Sequence, residues 1–146
     1  MNIIKKLSIT LFALLAFSGI SLAGDGWMTN IEQALAKAKT SKKPVMVEFT
    51  GSDWCPPCIR MHKQVFSKDE FLKKASKGFI LVKIDIPNGN KDLRAKNEPV
   101  LQKHKVRGVP TVIVFSPEGT ELDRFTASSY PDVKSFLAKL KESLKS

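Results

Sequence analysis

Three short runs rich in apolar and β-branched residues constrain the fold of this chain most: VMVEFT at 45–50, FILVKI at 79–84 and TVIVF at 111–115. Each suits a strand. The segments around them carry helical spacing instead. In WMTNIEQALAKAK, residues 27–39, Ile31, Ala34, Leu35 and Ala38 fall at i, i+3, i+4 and i+7, with Thr29 or Asn30 as the cap. A helix is expected from about Cys55 through Phe66, and a second segment from Asp69 to Lys77 that Gly78 would end as a C-terminal cap. The stretch IPNGNKDLRAKNE at 86–98 is polar and holds an Asn-Gly turn signal; residues 99–105 follow as a short helix with Pro99 in its first turn. Pro117 to Thr120 reads as a hairpin turn into an edge strand at 121–126. The last helix begins near Pro131. Val133, Phe136, Leu137, Leu140 and Leu144 form its apolar stripe, and its lysines lie toward the end that suits the helix dipole. Helix alternating with strand predicts an α/β fold, a central mixed β-sheet flanked by helices on both faces.

The first residues have the three-part pattern of a secretory signal peptide. Lys5 and Lys6 precede the uncharged run LSITLFALLAFSGI at 7–20, and Ser21-Leu22-Ala23 places small residues where a peptidase reads them. The run is short for a bilayer span, which needs about 20 apolar residues. The expectation is a signal peptide at 1–23 and one domain at 24–146, periplasmic or secreted after cleavage near Ala23. The chain has 24 basic and 14 acidic residues; without Lys5 and Lys6 the net charge is +8. Export argues against a nucleic-acid partner. The lysines are spread over several segments and read as a solvated basic surface, with weak attraction to an anionic membrane. A monomer is expected.

The only two cysteines, Cys55 and Cys58, stand in SDWCPPC at 52–58. A bridge across two residues restricts the unfolded chain little, and a domain of this size builds a core without it. The spacing therefore favours chemistry, with an inert disulfide and a metal site as the other readings. Covalent haem would need histidine at 59, where Ile59 stands. Zinc would need four ligands, and His62 and His104 do not form the usual second pair. At the start of a helix, unpaired N–H groups and partial positive charge stabilise a thiolate. Cys55, nearer the exposed end, is the expected nucleophile, and Cys58, one turn inward, the resolving thiol. Pro56 and Pro57 fix φ where a helix start tolerates it and stiffen the loop. Glu48 lies in an otherwise apolar strand, where a charge is costly unless partnered or protonated.

Trp54-Cys55-Pro56-Pro57-Cys58 after one apolar strand, with Gly108-Val109-Pro110-Thr111 before another, resembles the thioredoxin superfamily. The lead-in from Phe49 to Trp54 resembles that of its exported bacterial members, and the resemblance covers about residues 28–145. It implies a thioredoxin-like fold and thiol–disulfide oxidoreductase activity. It implies that Val109–Pro110 is a cis peptide facing the cysteines, beside backbone that pairs with an extended substrate segment. It gives Trp54 the docking surface. It gives Glu48 the role of accepting the resolving thiol's proton through water, with a pKa raised by burial. Glu48 precedes Cys55 by seven residues, one more than in ordinary thioredoxin. The stretch 87–98 is also longer than its counterpart and is expected as a partner-specific rim. Thr126-Ala127-Ser128 stands where the family often has a glycine. Disulfide oxidases of the superfamily carry a large helical insertion before the second motif, which this chain lacks. A proline before Cys58 resembles the reducing members. The expected function is thus reduction of protein disulfides; the alternatives are an oxidase or isomerase, or a non-catalytic metal- or protein-binding module. No metal and no cofactor are expected beyond the redox-active Cys55–Cys58 disulfide. A membrane-bound redox partner is implied as electron source, because no NADPH or flavin motif is present.

Overall fold

The computed structural model describes residues 26–145; the signal peptide expected at 1–23 lies outside them. The three apolar runs form strands. β1 is Val45–Thr50, β2 Ile80–Asp85 and β3 Thr111–Phe115, joined by the edge strand β4, Glu121–Thr126. The sheet order is β2-β1-β3-β4, with β1 and β2 parallel and the other pairs antiparallel. β1 is central and buried along its whole length, as its composition predicts. Side chains alternate between the two faces of a strand. Met46, Leu81, Val112 and Val114 accordingly pack with Phe66, Phe71 and Phe136 on one side. Val45, Val47, Phe49, Val82 and Ile113 pack with Ile31, Ala34 and Leu101 on the other.

Among the described residues five α-helices cover these faces: α1 Ile31–Ser41, α2 Pro56–Met61, α3 Asp69–Gly78, α4 Lys91–Lys103 and α5 Val133–Ser143. α1 starts later than expected. Asn30 caps it, its side chain accepting from the Gln33 N–H at 2.8 Å. Trp27 and Met28 stay outside the helix because both are worth more elsewhere. Trp27 is fully buried against Phe66 and Phe71, and Met28 bridges Val82 at the β2 edge. Each such aromatic pair contributes about 0.5–1.5 kcal/mol beyond area burial. The helix expected from Cys55 to Phe66 is two pieces, α2 and a π-helical turn at His62–Phe66. Gly78 is not a left-handed cap; α3 includes it and exits into extended Phe79.

The largest correction concerns 86–105. The short helix with Pro99 in its first turn is instead the end of α4, and most of the supposed 87–98 rim is its first two turns. Asn90 caps α4 by accepting from the Leu93 N–H at 3.0 Å. Pro99 sits inside the helix. A cap nine residues upstream outweighed proline's preference for the first turn. After α4 the backbone turns through Lys105, at φ 55°, with Val106 N–H donating to Leu101.

Candidate active site

The parallel β1–β2 pair and the antiparallel β1–β3 pair bring three chain ends to one edge of the sheet. Thr50 ends β1, Asp85 ends β2, and Thr111, which opposes Phe49, begins β3. The cysteine motif leaves the first and the Gly108–Pro110 segment enters the last.

Cys55 and Cys58 are joined in a disulfide, with Cα atoms 5.2 Å apart. Cys55 is the N-cap of α2, and the Cys58 backbone N–H donates to its Sγ at 3.3 Å. Pro56 and Pro57 occupy the first helical positions, where no N–H is required. Both sulfur residues are buried, Cys55 at 4 % exposure and Cys58 at 1 %. Exposure thus separates them little, and position in the helix distinguishes them. The Val109–Pro110 peptide is cis, and the Val109 carbonyl oxygen lies 3.7 Å from Cys55 Sγ. Below this turn the Ala127 N–H donates to the Pro110 carbonyl at 3.1 Å, so Thr126-Ala127-Ser128 supports the turn from β4.

Trp54 is 39 % exposed and Ile59 43 %, an apolar pair on either side of the cysteines. The Trp54 indole N–H donates to the Ile86 carbonyl at 2.7 Å, and the Arg94 guanidinium lies 5.8 Å from its ring centre. Its ring packs where a Cβ on Gly51 would clash, so that position needs glycine. Two neighbours fix the same loop. Ser52 donates from N–H and Oγ to the Asp85 carboxylate at 3.0 and 2.6 Å. The Asp53 carboxylate accepts from the Asn88 and Gly89 amides at 2.8 and 2.7 Å, and these bonds hold its pKa below the usual carboxylate value. Gly89 has no left-handed φ. The Asn-Gly pair, expected as a turn, presents two amides to Asp53.

Glu48 is buried at 1 % exposure in the central strand, on the α2 side of the sheet with Met46. Its register partner on β2 is Lys83, whose Nζ lies 5.1 Å from the Trp27 ring centre. A cavity of about 270 Å³ opens here, with Glu48, Cys58, His62, Lys83 and Asp85 among its walls. The structure thus gathers Cys55, Cys58, Trp54, Val109 and Pro110 at one surface, with Glu48 beneath it. Sequence reasoning missed Lys83, Asp85 and Arg94. A lone lysine inside FILVKI carried the same signal as Glu48 inside VMVEFT. Asp85 and Arg94 gave no such sign, because their roles depend on which loops meet. His104 is far from His62 in the chain and packs between Phe49 and Phe115. Among the described residues no three His, Cys, Asp or Glu side chains gather as a metal site. No described helix is long and apolar enough to cross a membrane.

The chain is similar to known proteins. A family described as thioredoxin-like matches residues 26–117. The chain is 35 % identical over 108 residues to the disulfide bond reductase DsbH of Chlamydia pneumoniae, covering 72 % of this chain and 64 % of that one. It is 33 % identical over 132 residues to the thiol:disulfide interchange protein DsbD of Klebsiella pneumoniae, covering 88 % of this chain and 19 % of the relative. The chain therefore spans less than two thirds of these curated relatives. A solved DsbH oxidoreductase superposes with a TM-score of 0.71 at 30 % identity, covering 95 % of each chain.

Proposed function

The chain belongs to the thioredoxin-like family, and on that premise we propose that it is an exported thiol–disulfide oxidoreductase that reduces protein disulfides through Cys55 and Cys58. One observation carries the reading: the sulfur of Cys55 sits at a helix start, under the Cys58 amide and against the Val109 carbonyl. In the reduced protein that amide and the helix dipole favour the Cys55 thiolate. The thiolate attacks one sulfur of a substrate disulfide, and the other sulfur leaves as a thiol. Cys58 then attacks Cys55 Sγ, the substrate's second sulfur departs, and the Cys55–Cys58 disulfide remains. Two electrons have passed to the substrate. Cys58 must lose its proton to attack. Glu48 accepts it across the shared cavity, with Lys83 at its side as the balancing charge. Trp54 and Ile59 offer apolar contact to a protein surface.

The reducing direction is supported by Pro57, an uncharged residue between the cysteines that adds no cation of its own to stabilise a thiolate, and by the reductase name of the Chlamydia relative. Export is supported by the leader pattern ending at Ala23. An exported reductase without a nucleotide motif draws its electrons from a membrane-bound donor. The test is the reduction potential of the purified protein in thiol buffers. A value near that of thioredoxin, about −270 mV, is expected. A value near about −120 mV would make the protein an oxidant of its substrates and reverse the proposed direction. A cysteine pair that never exchanged would remove the redox reading altogether.

A further inference from the structure

We propose that the groove beside the Val109–Pro110 turn selects disulfides flanked by an acidic segment. The inference rests on the oxidoreductase reading and names the substrate class of that same site. The groove encloses about 500 Å³ between the 105–111 segment and β4. Val106, Val109 and Phe125 give it an apolar floor, its rim carries Lys105, Arg107 and Arg124, and no carboxylate lines it. Arg124 is committed in part. Its Nε and Nη2 donate to Glu121 at 2.8 and 3.0 Å, and its Nη2 also donates to the His104 carbonyl at 2.8 Å. Those bonds pin one wall of the groove to β4. Lys105 and Arg107 are different: both are exposed, and no carboxylate among the described residues pairs with either.

The groove adjoins the reacting atom, because Val109 lies in its wall and holds its carbonyl oxygen 3.7 Å from Cys55 Sγ. A chain leading away from a disulfide seated on Cys55 enters between the two uncommitted cations. Asp53 and Asp85, whose carboxylates hold the cysteine loop through the Asn88 and Gly89 amides and Ser52, do not line the groove. They leave the groove side cationic. Charges on such a rim act chiefly on encounter and register, and salt screens them.

The step is the same two-electron exchange: the substrate disulfide becomes two thiols, the protein dithiol becomes the Cys55–Cys58 disulfide, and dithiothreitol returns the electrons. The probes are three cyclic disulfide peptides of equal cysteine spacing, flanked on one side by Asp-Glu, Ser-Ser or Lys-Lys. At low salt the acidic peptide is expected to show kcat/KM about tenfold above the basic one, carried by KM. The gap should close toward parity at about 1 M salt, where screening reaches within about 3 Å. In Lys105→Glu/Arg107→Glu the order of the peptides should invert. Equal rates in the wild-type protein, a preference for the basic peptide, or a preference that the double variant keeps would each overturn the proposal. Failure of the wild-type protein to reduce even the Ser-Ser peptide would take the oxidoreductase reading down with it.

Discussion

Glu48 lies one strand layer beneath the helix whose N-cap bears the reacting sulfur. Because side chains alternate along β1, a shift of one residue would have sent the carboxylate to the α1 face. β1 runs in regular register through Glu48, and the lead-in from Thr50 to Cys55 is the turn through Gly51–Trp54, so the acid stands on the α2 side of the sheet. Glu48→Gln should slow release of substrate from the mixed disulfide, by up to about 100-fold, the low end of general-base contributions. Attack on the substrate should change less. A single-turnover experiment that resolves the two steps checks this, and an unchanged release rate would assign the proton elsewhere. The cysteines were legible as the only pair, at a marked spacing, and Trp54 and the cis proline through the family resemblance that Trp-Cys-Pro-Pro-Cys and Gly-Val-Pro-Thr carry. The lysine beside Glu48 was less so, since its meaning comes from a register between strands that the sequence does not print.

At the scale of elements, strands were easier to place than helices, because three apolar runs leave little freedom. α4 is the exception that shows why. Its first two turns are mostly polar, and the residue they bury is Asn97, so no apolar period announces them, and Pro99 signals a start where the chain is already helical. Interior proline removes one helical hydrogen bond and crowds the preceding turn, at a cost of about 3 kcal/mol, offset by up to about 1 kcal/mol from a stiffer unfolded chain. Pro99→Ala, at an exposed position, should therefore stabilise the oxidised protein by about 1–3 kcal/mol, read as a higher urea midpoint at unchanged m-value. No gain would mean that contacts of the proline ring already offset its missing N–H.

For the whole molecule, stability should depend on pH in two separate windows. Burial, and then the neighbouring Lys103 charge, hold His104 below its ordinary value of 6.5. The unfolded chain therefore binds this proton more readily. The contribution is full above about pH 6.5, falls as pH drops through that value, and levels off below the lowered folded pKa. Asp53 and Asp132 are held below 3.8, the first by the Asn88 and Gly89 amides and the second by the Ser135 amide and hydroxyl. Their contribution is present above about pH 3.8 and is lost only as the solution becomes more acidic. Urea midpoints across pH should show both declines in the wild-type protein and only the acid one in His104→Gln. A decline near neutrality that survives the substitution would place its origin on another group. The clamp around the cysteine loop bears on a different matter, that of transplanting the chemistry. Ser52, Asp53 and Trp54 are seated by Asp85, Ile86, Asn88 and Gly89, and Asn97 in α4 ties back to the Asp85 carbonyl at 2.7 Å. Grafting Cys-Pro-Pro-Cys alone into another scaffold would move the sulfurs and leave their footing behind. The portable unit is a pair of segments, 50–58 and 85–97, which a gene separates and only the folded chain reunites.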